Sequence, residues 1–334
     1  MKEFKSVRDE NIALLRGLAI LAVVCVHSGN RELHGGIIDV LGAIYAYFSR
    51  IGVPLFLIMA GYLYGNKKPF IQIAKSKIIS IGIPWMASGT FIWIYYLLRK
   101  GISYTGTLPH YLITGYLWFL PVLMACFVIG FFIRGRKSSV AFFLVCVAVS
   151  SLVKNEWVLL PDWGGDLLTH VGTQAVFFAF GMFLRAFDAL TPFLNYAISR
   201  KPLLLVGAVL LAVSSLFFCA ELYLFYIFAA VFAWSLLFIL CMNQFPKLKP
   251  VFLWVGDYSF MIYLFHMPIA GMVVNLFERG EVLPYLFFLK MPLIVFAIFS
   301  AVKAFGWVFG RWKYTPFIAC YLFGVRVVGK VNGN

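Results

Sequence analysis

Asn11–Gly29 reads NIALLRGLAILAVVCVHSG, an apolar run interrupted by Arg16 and, eleven residues on, by His27. At about 100° per residue, eleven steps bring a helix back to within about 20° of its start, so both side chains share one face about 16 Å apart. Arg16 then lies about one and a half turns in from one membrane surface, and His27 lies near the other. Ionisable groups inside a membrane span are functional candidates. Two readings of the pair stay open on position alone. One is a polar track through the bilayer. The other has Arg16 snorkelling to the near surface and His27 in interfacial water.

The rest of the chain repeats the apolar pattern. Of 334 residues, 63% are hydrophobic and 12% charged. A soluble protein of this size cannot hide so much apolar surface. Apolar runs predict helices near 10–30, 37–64, 78–98, 115–133, 139–153, 167–187, 202–219, 222–243, 256–277 and 282–305. The expected fold is therefore all-α, a polytopic membrane bundle of about ten transmembrane helices forming one domain over 1–334, with no appended soluble domain. The first run contains an arginine and no small-residue cleavage pattern, so it is expected to remain as a helix rather than to be a signal peptide.

The net charge of +15 suggests nucleic acid, but the placement of the charges excludes that reading. With the N-terminus inside, twenty of the 28 Lys and Arg fall in inner turns or termini, among them Lys75, Lys77, Arg134, Lys137 and Arg185. Only five, Arg31, Arg99, Lys100, Lys154 and Arg279, fall in outer loops, and Arg16, Arg50 and Lys290 lie within spans. That bias places both termini in the cytoplasm. The six cysteines are scattered, without a CxxC pair or a histidine cluster, and read as small apolar filler with no metal site.

Three further groups draw notice. Arg50, in SRIGVPLFLIMAGYLYG, lies inside the second apolar run and needs a partner or a water-filled cavity, since a mid-bilayer arginine costs about 2.5–3.5 kcal/mol on insertion scales. In GDYSFMIYLFHMPI, Asp257 is placed to cap a helix. Ser259, Tyr263 and His266 follow at i, i+4 and i+7 as one polar stripe, serving either a site or interhelical hydrogen bonding. Trp118, in GYLWFLPV, opens another span, where belt residues also sit. His34, His110 and His170 lie in or near outer loops. The outer segment KNEWVLLPDWGGDLL at 154–168 combines aromatics and acids, as a carbohydrate groove or an interfacial anchor does.

Together these stretches resemble the acyltransferase-3 family of integral membrane acyltransferases. The matching residues are Arg16-Gly17-Leu18-Ala19 followed by His27, Val53-Pro54-Leu55-Phe56 leading to Gly61-Tyr62-Leu63, and Leu117-Trp118-Phe119-Leu120. They continue with Phe180-Gly181-Met182 and Arg185, then Tyr258-Ser259 through Tyr263-Leu264-Phe265-His266. The form around Arg50 is similar to members that acetylate bacterial surface polysaccharides, including O-antigen and enterobacterial common antigen. Two departures stand out. Ala60 occupies the place of a usual serine, and Lys77 with Ser80 occupies that of a basic R-x-x-R pair.

The resemblance implies transfer of an acetyl group from acetyl-CoA to a sugar hydroxyl of a surface glycan or its lipid-linked precursor, in a bacterial inner membrane. No permanently bound cofactor is implied. His27 is expected as general base, an acyl-imidazole relay being the lesser variant. Arg16 is expected to hold a phosphate or the pantetheine path of CoA, and Arg50 to supply charge to the donor or the oxyanion. Lys75 and Lys77 are expected to attract CoA phosphates, and Trp118, Ser259, Tyr263 and His266 to serve substrate binding, His266 by orienting the acceptor or His27. An exporter or channel for polysaccharide units is the competing class. The lack of an internal repeat counts against it.

Overall fold

A computed structural model describes residues 2–28, 44–64, 69–101, 106–154, 165–190, 192, 196, 201–217, 223–279 and 289–309. His34, Lys67, Lys68 and most of the segment at 154–168 lie outside them. The described residues form helices and connecting turns, with no strand among them.

In chain order the helices are α1 (Lys2–Ser28), α2 (Gly52–Leu63), α3 (Phe70–Lys77), α4 (Ile83–Lys100), α5 (Leu108–Thr114), α6 (Phe119–Phe131) and α7 (Gly135–Lys154). They continue with α8 (Gly165–Ala186), α9 (Lys201–Phe217), α10 (Tyr223–Gln244), α11 (Lys249–Asp257), α12 (Ser259–Arg279) and α13 (Lys290–Phe309). Each expected span meets a helix. Among the described residues, six stretches are long and apolar enough to cross a membrane: Glu10–His27, Ile44–Leu63, Phe70–Lys100, Gly135–Lys154, Leu167–Ala186 and Tyr223–Gln244. Phe119–Phe131, Leu204–Val213 and Ser259–Val273 are shorter apolar helices.

Three boundaries differ from the sequence expectation. The second span is not one helix: a helical segment at 44–49 ends in a turn at Arg50–Ile51, and α2 begins at Gly52. The third begins at Phe70, so Lys75 and Lys77 ride on a helix rather than in a turn. Between α3 and α4 the backbone widens into a π turn over Ile78–Gly82, where Ile83 N–H reaches back five residues to the Ile78 carbonyl. Pro84 follows; it has no N–H and its ring crowds the carbonyl four residues earlier, which disfavours a regular α turn there. The fifth span is longer than expected. After Gly135 at φ 85°, the Ser138 and Ser139 hydroxyls bond the Gly135 carbonyl, and Arg136 and Lys137 fall inside the first turn of α7.

The chain forms two compact units, one from Met1–Asn66 with Ala125–Ser259, the other from Lys67–Met124 with Phe260–Asn334. In the first unit α8 packs on α2 and α7, α1 packs on α2, α10 and α11, and α9 packs on α10. The crossing of α2 on α8 is close. A Cβ on Gly61 would stand 2.1 Å from the Phe178 carbonyl oxygen, and one on Gly181 would stand 2.1 Å from that of Ile58. Small residues let membrane helices approach this closely. Arg185, on α8, donates to the Tyr62 carbonyl at 3.0 Å, satisfying the end of α2. Three of the residues that carry the family resemblance, Gly61, Gly181 and Arg185, thus hold this crossing.

In the second unit α5 packs on α4, and Gly89 faces Leu112 and Leu117. In the first unit Cys25, Cys126 and Cys146 are buried and outside any disulfide, while Cys241 is exposed.

Candidate active site

The first unit holds His27, Arg16 and Arg50. α1 runs unbroken from Lys2 to Ser28, so the eleven-residue spacing keeps Arg16 and His27 on one face about 16 Å apart. His27 lies in the last turn and is partly buried.

Arg16 meets an acid that the sequence pattern assigned elsewhere. Asp257 does not cap α12; it is the last residue of α11, and its Oδ1 accepts from Arg16 Nη2 at 3.4 Å. The reason is the crossing of α1 and α11. A Cβ on Gly256 would stand 1.8 Å from the Ala13 carbonyl oxygen, and one on Gly17 would stand 2.7 Å from that of Phe252. With no side chain at either position, the two backbones touch and Asp257 comes out beside Arg16. A second ion pair, Lys249 to Glu10 at 2.7 Å, ties the other end of the same crossing and shows that α1 and α11 run in the same direction.

Arg50 sits at the break before α2, where its side chain is exposed and its guanidinium lies 5.6 Å from the centre of the Tyr226 ring on α10. The ring face offers electron density to the cation, so Tyr226 is one partner for Arg50. Tyr226 is itself buried and packs edge-on against Tyr47 at 5.4 Å. The level of Arg50 follows from its neighbours. Cys25 Sγ approaches the Tyr45 carbonyl oxygen at 3.7 Å, and a Cβ on Gly52 would meet Val23 and Ala19. Arg50 therefore stands alongside the His27 half of α1, not the Arg16 half.

The second unit holds Lys75, Lys77, Trp118, Tyr263 and His266. Lys75 is exposed and Lys77 partly so, both in the last turn of α3. Cations at a helix C-terminus complement its dipole. Ser259, Tyr263 and His266 do form a stripe on α12, and all three are buried. Pro268 lies inside that helix and has no N–H to give the Leu264 carbonyl. Tyr116 supplies the missing donor, its hydroxyl reaching the Leu264 oxygen at 2.9 Å. Tyr263 returns a hydrogen bond to the Tyr116 carbonyl at 2.8 Å. His266 Nδ1 lies 2.6 Å from the Tyr263 carbonyl oxygen. A carbonyl only accepts, so Nδ1 carries the proton, and in the neutral ring Nε2 is the basic nitrogen. Rings of Tyr116 and Tyr263 each lie 5.6 Å from the imidazole. This cluster fixes the turn 116–118 that leads into α6, where Trp118 N–H bonds the Gly115 carbonyl at 3.0 Å.

Sequence reasoning missed Asp257 as partner of Arg16, Tyr226 as partner of Arg50, and Tyr116. For Tyr116 the signal was present: a proline inside an apolar helix leaves a carbonyl that some donor must satisfy. Among the described residues no group of three metal-ligating side chains comes together.

The acyltransferase-3 family, described as an acyltransferase domain, matches residues 9–325 and so spans all of these groups. The chain belongs to that family. No curated protein and no solved structure matches it. As an acyltransferase-3 member, the chain is a membrane acyltransferase, and the Arg16 to His27 face lies within the family match.

Proposed function

We propose that this acyltransferase moves an acetyl group from acetyl-CoA to a sugar hydroxyl of a bacterial surface polysaccharide or its lipid-linked precursor. It works in the inner membrane, as a bundle of about ten transmembrane helices with both termini in the cytoplasm. One observation carries the reading: Arg16 and His27 share a face of one unbroken helix inside the family match.

A sugar hydroxyl is a poor nucleophile at neutral pH. His27 takes its proton as the oxygen attacks the thioester carbonyl. The C–S bond then breaks, the acetyl ester remains on the sugar, and the CoA sulfur leaves as the thiol with the proton from His27. Positive charge from Arg50, at the His27 level of α1, stabilises the oxyanion that forms between these steps. Arg16 holds a phosphate of the donor, and Lys75 and Lys77 draw CoA phosphates by charge. Trp118, with Ser259, Tyr263 and His266, serves the acceptor, the last two by holding the turn that carries Trp118.

His27→Ala tests the reading. Acetyl transfer should fall at least about 100-fold in a variant that inserts normally, the scale of a lost general base. Mass spectrometry of the surface polysaccharide should show chains of unchanged length lacking acetyl mass. Loss of the chains themselves would favour export, and normal acetylation would remove His27 from the chemistry.

A further inference from the structure

Asp257 has no role in the steps above, yet the fold delivers it to Arg16 by a backbone contact that tolerates no side chain at Gly256. The contact it makes is thin. One guanidinium nitrogen meets one carboxylate oxygen at 3.4 Å, with the Arg16 side chain 36% exposed and that of Asp257 65% exposed. Asp257 is also the last residue of α11, followed by a turn at Tyr258, so its carboxylate is free to swing into water. An opposite charge lowers the cost of an arginine inside a membrane span. Asp257 supplies one to Arg16. A phosphate matches the guanidinium better, because it presents two oxygens to the fork.

We propose that Asp257 is the counter-ion of Arg16 in the donor-free protein, and that a phosphate of acyl-CoA displaces it. Asp257 thereby sets the donor's affinity while taking no part in bond making. The proposal rests on the reading of Arg16 as a donor-binding residue. Carboxylate and phosphate then occupy Arg16 in turn, and an anion faces the guanidinium in both states. Asp257 is a positioning residue, and its signature is a change in KM without a matching change in kcat.

The test uses the full chain in lipid nanodiscs, with CoA as the binding probe and acetyl-CoA as the turnover substrate. Removing the competing carboxylate in Asp257→Asn should tighten CoA binding and lower the KM for acetyl-CoA about fivefold, the scale of an exposed ion pair. The kcat should stay within about twofold. Glu10→Gln is the control: it breaks the Glu10–Lys249 pair on the same crossing and should leave CoA affinity unchanged. Asp257→Ser removes the same charge with a smaller side chain and should give the same fall if the Asn variant does not insert. Failure of both to insert overturns the proposal, since a pair that the fold requires is not one a ligand displaces. Unchanged or weaker CoA binding in inserted Asp257→Asn, with Arg16→Gln weakened, overturns the exchange alone. Insensitivity to both substitutions overturns the donor reading of Arg16 itself.

Discussion

Arg16 and Arg50 face one physical problem, a guanidinium inside an apolar span, and meet it differently. Arg16 is set against a carboxylate. Arg50 is set over the face of Tyr226, where a planar cation gains from the ring without a counter-charge. Substitution therefore separates them. Arg16→Lys keeps charge and loses the fork, so activity should fall partly and recover at raised acetyl-CoA, while Arg16→Ala should lose nearly all of it. Arg50→Lys should be impaired at every donor concentration, because a compact ammonium neither stacks on Tyr226 nor holds the same position. Tyr226→Phe should retain most activity, and Tyr226→Leu should lose about 2- to 30-fold, the range of a cation–π contact worth about 0.5–2 kcal/mol. Acetyl transfer measured in membranes against donor concentration decides each case. Unchanged donor dependence across the Arg16 and Arg50 variants would leave both arginines structural.

The helices show where sequence patterns inform and where they stop. Long apolar runs pointed to the helices, six of them long and apolar enough to cross a membrane among the described residues, because a membrane segment must satisfy its own backbone hydrogen bonds and a helix does so within itself. The pattern could not show the break at Arg50–Ile51, since nothing in SRIGVP distinguishes a turn from a continuing helix except the later contacts of Gly52 with Val23 and Ala19. It missed α11 as well: KPVFLWVGD is too short for a span and reads as a connecting turn. Asp257 then looked like a cap for the next helix, although two backbones meeting at Gly17 and Gly256 turn it toward α1. The Arg16–His27 face was legible because both residues lie on one helix; partners that come from other helices were not. The α2–α8 crossing gives the element-scale prediction. A Cβ at Gly181 would meet the Ile58 carbonyl oxygen and the Tyr62 amide, both backbone atoms that cannot swing away. Gly181→Val should therefore destabilise the protein by about 1–3 kcal/mol, seen as a lower melting temperature in detergent, while Gly207→Val, at a helical glycine with open space around it, should change it little. Equal melting of the two variants would show that the crossing is looser than these contacts.

Across the whole molecule the arrangement of charge is what the proposed orientation rests on. Two Arg residues from the predicted inner side work as helix terminators: Arg185 bonds the Tyr62 carbonyl at the end of α2, and Arg136 bonds the Ala186 carbonyl at the end of α8 at 3.1 Å. Cations belong at helix C-termini on any side of a membrane, so these contacts by themselves do not set the direction of insertion. The proposed direction, with both termini in the cytoplasm, draws on the excess of Lys and Arg in alternate turns of the sequence, since such charges resist translocation. Arg134, Arg136 and Lys137 stand exposed around the start of α7, and Lys154 closes its other end over the Tyr223 ring at 4.7 Å. A reporter active only outside the cytoplasm, fused after Lys137, should therefore be silent, and one fused after Asp162 should be active. With that orientation Arg16 lies toward the compartment where acyl-CoA is made, and His27 toward the one where surface glycans are assembled. The reverse pattern would place His27 at the cytoplasmic end of α1 and put the base and the donor grip on the wrong sides for transfer to a surface glycan.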